Sequence, residues 1–216
     1  MLQPLIALLY AGTQQSAHFS AASSGMFLLI IAIGIAGYIV QARLQSVFKK
    51  YSKVQFPGGL TGAQVAEKML RENNIHNVKV THVAGHLTDH FNPQTMTVNL
   101  SDSVYNSTSV AAAAVAAHEC GHAVQHARDY APLTLRSQLV PVVQFASSAA
   151  TWVILLGLVL LATTRNELVC WIGVALIAMS ALFSLITLPV EYNASARALE
   201  WLESSRTMQG AQLVQA

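Results

Sequence analysis

SVAAAAVAAHECGHAVQH, residues 109–126, is built almost wholly of helix formers, with Ser107 or Thr108 just upstream to cap the start. His118 and His122 lie four residues apart, so on a helix their imidazoles leave from one face. Together they can hold one zinc ion at about 2.0–2.1 Å each. Glu119 sits between them. A metal lowers the pKa of a coordinated water, and a carboxylate beside it takes the proton and later passes it to the leaving amine. Gly121 would cost an ordinary helix about 1 kcal/mol, but beside a metal it leaves room for substrate or for a close helix neighbour.

A catalytic zinc takes three protein ligands and keeps a fourth position open. His126 lies eight residues from His118, about 12 Å along the axis of a straight helix, too far for both to share an ion. It reads as a supporting or exposed residue. The position six residues past His122 is Arg128, which cannot coordinate. Carboxylates downstream are Asp129, Glu167, Glu191, Glu200 and Glu203. Asp129 belongs to the end of the same helix. The choice among the rest depends on the membrane.

The chain has 216 residues, 53% hydrophobic and 10% charged, with a mean hydropathy of +0.45, well above a water-soluble domain of this size. Three segments are long and apolar enough to cross a bilayer: 21–42, 142–162 and 168–188. No Lys or Arg precedes the first, whereas Arg43, Lys49, Lys50 and Lys53 follow it, and the Thr163–Glu167 turn carries Arg165 offset by Glu167. Basic residues stay on the cytoplasmic side. The expected organisation is therefore an N-terminal segment 1–20 outside, span 21–42, a cytoplasmic domain 43–138, spans 142–162 and 168–188, and a cytoplasmic tail 189–216. Such a chain is a multi-pass protein of the cell inner membrane. Glu167 falls on the wrong side of the bilayer. Glu191 stands just past the third span, where Pro189 can open a new helix aimed at the middle domain, so it is the first choice for third ligand, ahead of Glu200 and Glu203.

Within the middle domain, Thr61 and Gln64 form a capping-box pattern after the turn at Pro57-Gly58-Gly59. Val65, Ala66, Met69 and Leu70 recur at helical spacing, and Asn73-Asn74 ends the run. Val78, Val80 and His82, then Met96, Val98 and Leu100, alternate as strands on either side of GHLTDHFNPQ (85–94). The strand from Met96 to Leu100 is a candidate edge for an extended substrate. Asp89 could orient a ligand histidine and His90 could stabilise a developing oxyanion, unless each serves only its own turn.

The net charge of +2, without a basic cluster interleaved with aromatics, points away from nucleic acid. Cys120 and Cys170 are too dispersed for a disulfide framework. The spans hold no ionisable residue at mid-depth, which argues against a metal-ion carrier.

Residues 115–126 (VAAHECGHAVQH), preceded by GHLTDHFNP (85–93) and followed by LPVEYNASARAL (188–199), resemble the YugP-type membrane zinc metallopeptidases, bacterial proteins with a gluzincin-like site. The resemblance runs from about Phe56 to Leu202. It implies an α+β, mainly helical membrane protein, with three transmembrane helices and a small cytoplasmic zincin-like domain. It also implies one Zn2+ per chain on His118, His122 and Glu191, and Glu119 as the catalytic residue. The family pattern has Asp where Asn92 and Asn193 stand here. An amide such as Asn193 can accept a hydrogen bond from a ligand histidine but cannot raise its basicity as a carboxylate would. The expected activity is hydrolysis of peptide bonds in membrane or unfolded polypeptides at the bilayer surface. The other reading is a zinc-binding membrane adaptor without turnover. Arg197, beyond Glu191, could meet a substrate carboxylate or phospholipid head groups.

Overall fold

The computed structural model describes residue 28 and residues 31–164 and 167–205. The expected N-terminal segment 1–20, most of the first ten residues of span 21–42, Arg165, and the end of the tail lie outside the described residues. The chain divides into two compact units, Met1–Lys50 and Tyr51–Ala216. The first holds most of α1, Ile31–Tyr51, whose apolar side chains are exposed, among them Ile33, Ile35, Ile39 and Val40.

The second unit contains α2 (Gly62–Glu72), β1 (Lys79–Val83), β2 (His90–Asn92), β3 (Thr97–Ser101), α3 (Val110–Ala127), α4 (Ala131–Thr164) and α5 (Leu168–Ser204). Thr61 and Gln64 cap α2 reciprocally: the Gln64 amide N–H donates to Thr61 Oγ1 at 3.3 Å, and the Thr61 N–H donates to Gln64 Oε1 at 2.9 Å. The helix ends at Asn73, and Asn74 takes the left-handed conformation at φ 60°. The Ile75 and Asn74 amides donate back to Leu70 and Arg71, closing a Schellman motif. Asp129 (φ 49°) ends α3 in the same way, its amide donating to His126 and that of Tyr130 to Gln125.

The sheet order is β1-β3-β2, with β1 parallel and β2 antiparallel to β3. This corrects the sequence reading twice. Residues 90–92 of the expected loop form a strand, and β3 is the central strand, so the segment from Met96 to Leu100 is not an edge. Strand β2 lies in a segment whose Gly85, Pro93 and polar residues read as turn; pairing with β3 overrides that local signal. The cap of α3 also differs from expectation. Ser109 Oγ accepts from the Ala112 amide at 3.2 Å, while Ser107 Oγ donates to Ser109 Oγ at 3.0 Å. Ser107 thus supports the cap one step removed.

The core joins Val65, Ala66, Met69 and Leu70 of α2, Val98 and Leu100 of β3, the alanine face of α3 and Ala198, Trp201 and Leu202 of α5. Helix α5 brings a further correction. It runs unbroken through Pro189, and α4 likewise contains Pro141. A proline removes one helical hydrogen bond, yet long apolar helices tolerate it where neighbouring groups re-satisfy the backbone. The third span and the tail are therefore one helix. Its first part is apolar and outward-facing (Trp171, Leu182 and Leu185 exposed), and its last part is buried in the domain core. Helices α4 and α5 pack on each other, with a Ser147–Ser180 hydroxyl contact of 2.7 Å. At Gly157 a Cβ would stand 2.8 Å from the backbone nitrogen of Cys170, the close approach small residues allow between apolar helices. Helices α1, α4 and α5 are each long and apolar enough to cross a membrane.

Candidate metal centre

Helix α3 lies against α5, and Gly121 permits the contact. A Cβ there would stand 2.5 Å from the Ala194 carbonyl oxygen and 3.1 Å from its Cα. The obstacle is backbone, so Gly121→Ala must push the helices apart. Helix propensity alone predicts a gain of about 1 kcal/mol from this change. The packing predicts a loss of about 1–3 kcal/mol, together with weaker metal binding, because Glu191 stands one turn before Ala194. Thermal unfolding in detergent reads the sign.

Across this contact, His118 and His122 of α3 meet Glu191 of α5. Glu191 Oε2 stands 3.3 Å from His118 Nε2 and 3.4 Å from His122 Nε2, and the three donor atoms lie within 4.8 Å of one another. These separations exceed the roughly 2.7–2.9 Å of a charge-assisted hydrogen bond. They match the edge of a tetrahedron, about 3.3 Å, around a zinc ion with bonds near 2.0–2.1 Å. Two imidazoles and one carboxylate, with no fourth His, Cys or carboxylate joining them among the described residues, fit a catalytic rather than a structural zinc, which would be closed by four Cys/His ligands. Cys120 does not join them. It is buried, with Sγ 3.6 Å from the Ala66 carbonyl, and burial pushes its thiol far above the range for a reactive thiolate.

Each donor is held by a neighbour outside the three-residue cluster. His122 Nδ1 lies 3.0 Å from Gln125 Oε1, and His118 Nδ1 lies 3.1 Å from Ser195 Oγ. Arg136 of α4 reaches the second oxygen of Glu191, Oε1, at 3.3 Å, leaving Oε2 to the histidines. Gln125 could have been sought as the residue one turn past His122 on the same helix face. Ser195 is one turn past Glu191, but nothing local singles it out, and Arg136 is distant from both in sequence.

Glu119 is buried, and its Oε2 accepts the Phe91 amide of β2 at 3.0 Å. Burial raises its pKa above the ordinary carboxylate value; the charges of His122 and His118 and the Phe91 hydrogen bond act against this without cancelling it. A carboxyl raised in this way takes up a proton more readily than an ordinary one, which suits a general base that must later return it.

The remaining sequence candidates fall outside the cluster. Asp89 accepts from the Ser101 amide at 2.7 Å and from its hydroxyl at 2.9 Å, so it ties the β2 approach to β3 and orients no histidine. His90 Nδ1 donates to the Thr88 carbonyl at 2.8 Å, and its Nε2 lies 3.1 Å from Asn99 Nδ2. Both ring nitrogens are engaged, leaving no donor for an oxyanion. His126 is exposed, its ring 5.8 Å from that of Phe91. Asn92 Oδ1 accepts from the Gln94 and Thr95 amides in a local turn. Asn193 touches neither ligand histidine; its Oδ1 accepts from Gln125 Nε2 at 3.0 Å and from Arg197 Nε at 2.8 Å. Arg197 is thereby partnered within the domain.

In the metal-free protein His118 is pulled down by burial, but the Glu191 hydrogen bond and the charges of Glu119 and Glu191 outweigh this and raise its pKa above 6.5. A metal takes the neutral imidazole, so protons compete with it. Apparent zinc affinity should hold above that raised pKa and fall by about tenfold per pH unit below it, with onset above the ordinary histidine value. Chelator competition between pH 8 and 6 measures it; a flat profile would contradict the assignment of His118.

No solved structure matches this chain at a significant level. The chain is 42% identical over 179 residues to the Bacillus subtilis (strain 168) protein named "Putative membrane protease YugP", covering 83% of this chain and 77% of that one. The family described as "Putative neutral zinc metallopeptidase" matches residues 26–216. With a family match over residues 26–216, and two histidines and a glutamate converging in the structure, this chain belongs to the family described as "Putative neutral zinc metallopeptidase".

Proposed function

We propose that the chain is a zinc-dependent endopeptidase of the cell membrane, with His118, His122 and Glu191 as zinc ligands and Glu119 as general base and acid. The observation that carries this reading is the convergence of His118 Nε2, His122 Nε2 and Glu191 Oε2 across the α3–α5 contact. When bound, zinc supplies Lewis-acid polarisation of the scissile carbonyl and acidifies the attacking water. Glu119, desolvated and held through Oε2 by the Phe91 amide, takes the water's proton and delivers it to the departing amine. Arg136 keeps Glu191 turned so that Oε2 serves the metal.

The edge strand beside this site is β2 rather than β3, and an extended polypeptide adding along β2 would pass next to Glu119. Membrane-embedded or unfolded polypeptides are the proposed substrates. Supporting the first, a cavity of about 670 Å³ between α4 and α5 is lined by apolar Val140, Val143 and Phe183, by polar Gln144 and Ser147, and by Arg136, whose guanidinium also touches Glu191. The basic residues from Arg43 to Lys53 favour a cytoplasmic site, a multi-pass arrangement in the inner membrane, and an N-terminus outside.

The test offers purified chain in detergent two reporters, an unfolded soluble protein and a single-span membrane protein. Zinc-dependent cleavage of either supports the peptidase reading. Full zinc loading with neither cleaved would favour the adaptor.

A further inference from the structure

Gln125 is completely buried at the α3–α5 contact, and every polar atom of its side chain has a partner. The order of donors and acceptors around it can be read from one end. Arg197 Nε only donates, so Asn193 presents its carbonyl oxygen to it, at 2.8 Å. That same Oδ1 accepts from Gln125 Nε2 at 3.0 Å, and Nε2 also donates to the Val190 carbonyl at 2.8 Å. With its amide nitrogen facing two acceptors, Gln125 must present Oε1 to His122 Nδ1, at 3.0 Å. An amide oxygen only accepts. His122 Nδ1 therefore carries the proton, and Nε2 presents its lone pair beside Glu191 Oε2.

We infer that Gln125 is a positioning residue for the metal site, fixing His122 in the tautomer that binds metal through Nε2, and that Arg197 and Asn193 fix Gln125 in turn. The inference rests on the reading of His118, His122 and Glu191 as a zinc site. It also gives α5 a second task. The turn that brings Glu191 supplies, through the Val190 carbonyl and Asn193, the contacts that orient the histidine opposite. Ligand delivery and ligand orientation are then coupled through one helix contact. It further gives Asn193 a role that does not need a carboxylate, because its task is to accept two hydrogen bonds rather than to raise the basicity of a ligand.

The test measures zinc dissociation constants by chelator competition, and thermal unfolding of the metal-free proteins, in detergent. Gln125→Met keeps side-chain length but removes the acceptor. Zinc affinity should fall about 10–100-fold, the range for residues that orient a ligand histidine, with the metal-free unfolding midpoint close to wild type. If that variant does not fold, the pair at position 193 carries the test. Asn193→Asp keeps an acceptor for both Gln125 and Arg197 and should bind zinc within about threefold of wild type, whereas Asn193→Leu should lose affinity as Gln125→Met does. A role in packing alone predicts the reverse order, with the apolar Leu better tolerated than a buried charge. Folded Gln125→Met with wild-type zinc affinity, or Asp and Leu equally impaired, would overturn the inference while leaving the zinc site standing. Failure of the wild type itself to bind zinc would instead remove the metal-site reading beneath it.

Discussion

Protein carrying Glu119→Gln should bind zinc as tightly as wild type and cleave an unfolded reporter about 10²–10⁴-fold more slowly, the span that general acid–base catalysis contributes. The side chain is nearly isosteric and not among the three converging donors, so the metal site is preserved. The Phe91 amide that donates to Oε2 still finds a carbonyl oxygen if the new amide turns that way. What is lost is the capacity to take a proton from water and return it to the leaving nitrogen. Desolvation is the largest influence on this carboxyl and raises its pKa, in the direction the proposed proton-accepting role calls for. Zinc content read beside the cleavage rate separates the two effects. A Glu119→Gln variant that cleaves at the wild-type rate would remove Glu119 from the mechanism.

Glu191→Ala should fail differently, losing zinc and cleavage together. It removes one of three donors, and it leaves the Arg136 guanidinium beside two imidazoles without its carboxylate partner, so a positive charge faces the place where a cation must sit. The loss of zinc affinity should exceed the roughly 100-fold that marks the upper end for residues that merely support a ligand. Chelator competition measures it. A variant that retained wild-type zinc affinity would show that the third donor lies elsewhere, with Glu200 and Glu203 the next residues to change.

How far the sequence could be read depends on how far each signal reaches along the chain. The capping box at Thr61 and Gln64, the asparagine stop after α2 and the His118-Glu119-His122 spacing all act within one or two helical turns, and each was legible. Gly121 was legible in outline, since a costly residue beside two histidines pointed to room for substrate or to a close helix neighbour, and the structure shows the second, the Ala194 backbone. Glu191 could be chosen through membrane parity, its place just past the third span and the family resemblance, arguments about sides and motifs rather than contacts. Pro189 misled because a proline reads equally as a helix start and as a tolerated interruption, and the packing of Ala198, Trp201 and Leu202 into the core decides between them. Strand β2 was hidden in turn-forming residues and exists because β3 offers it a partner. Ser195 and Arg136 were not legible, because their partners lie on other helices, whereas Gln125 stands one turn past His122 on α3 and only its contacts to Val190 and Asn193 of α5 were hidden. Asp89 and His90 looked chemical from composition, yet both spend their hydrogen bonds on their own sheet.

The most direct test of the central claim is removal and return of the metal. Wild-type protein in detergent, stripped by a chelator and assayed on an unfolded reporter and a membrane-spanning one, should lose cleavage. It should regain that activity as zinc is added back, with recovery complete at about one ion per chain. Cleavage that persists without metal, or one zinc bound per chain with no cleavage of either reporter, would contradict it.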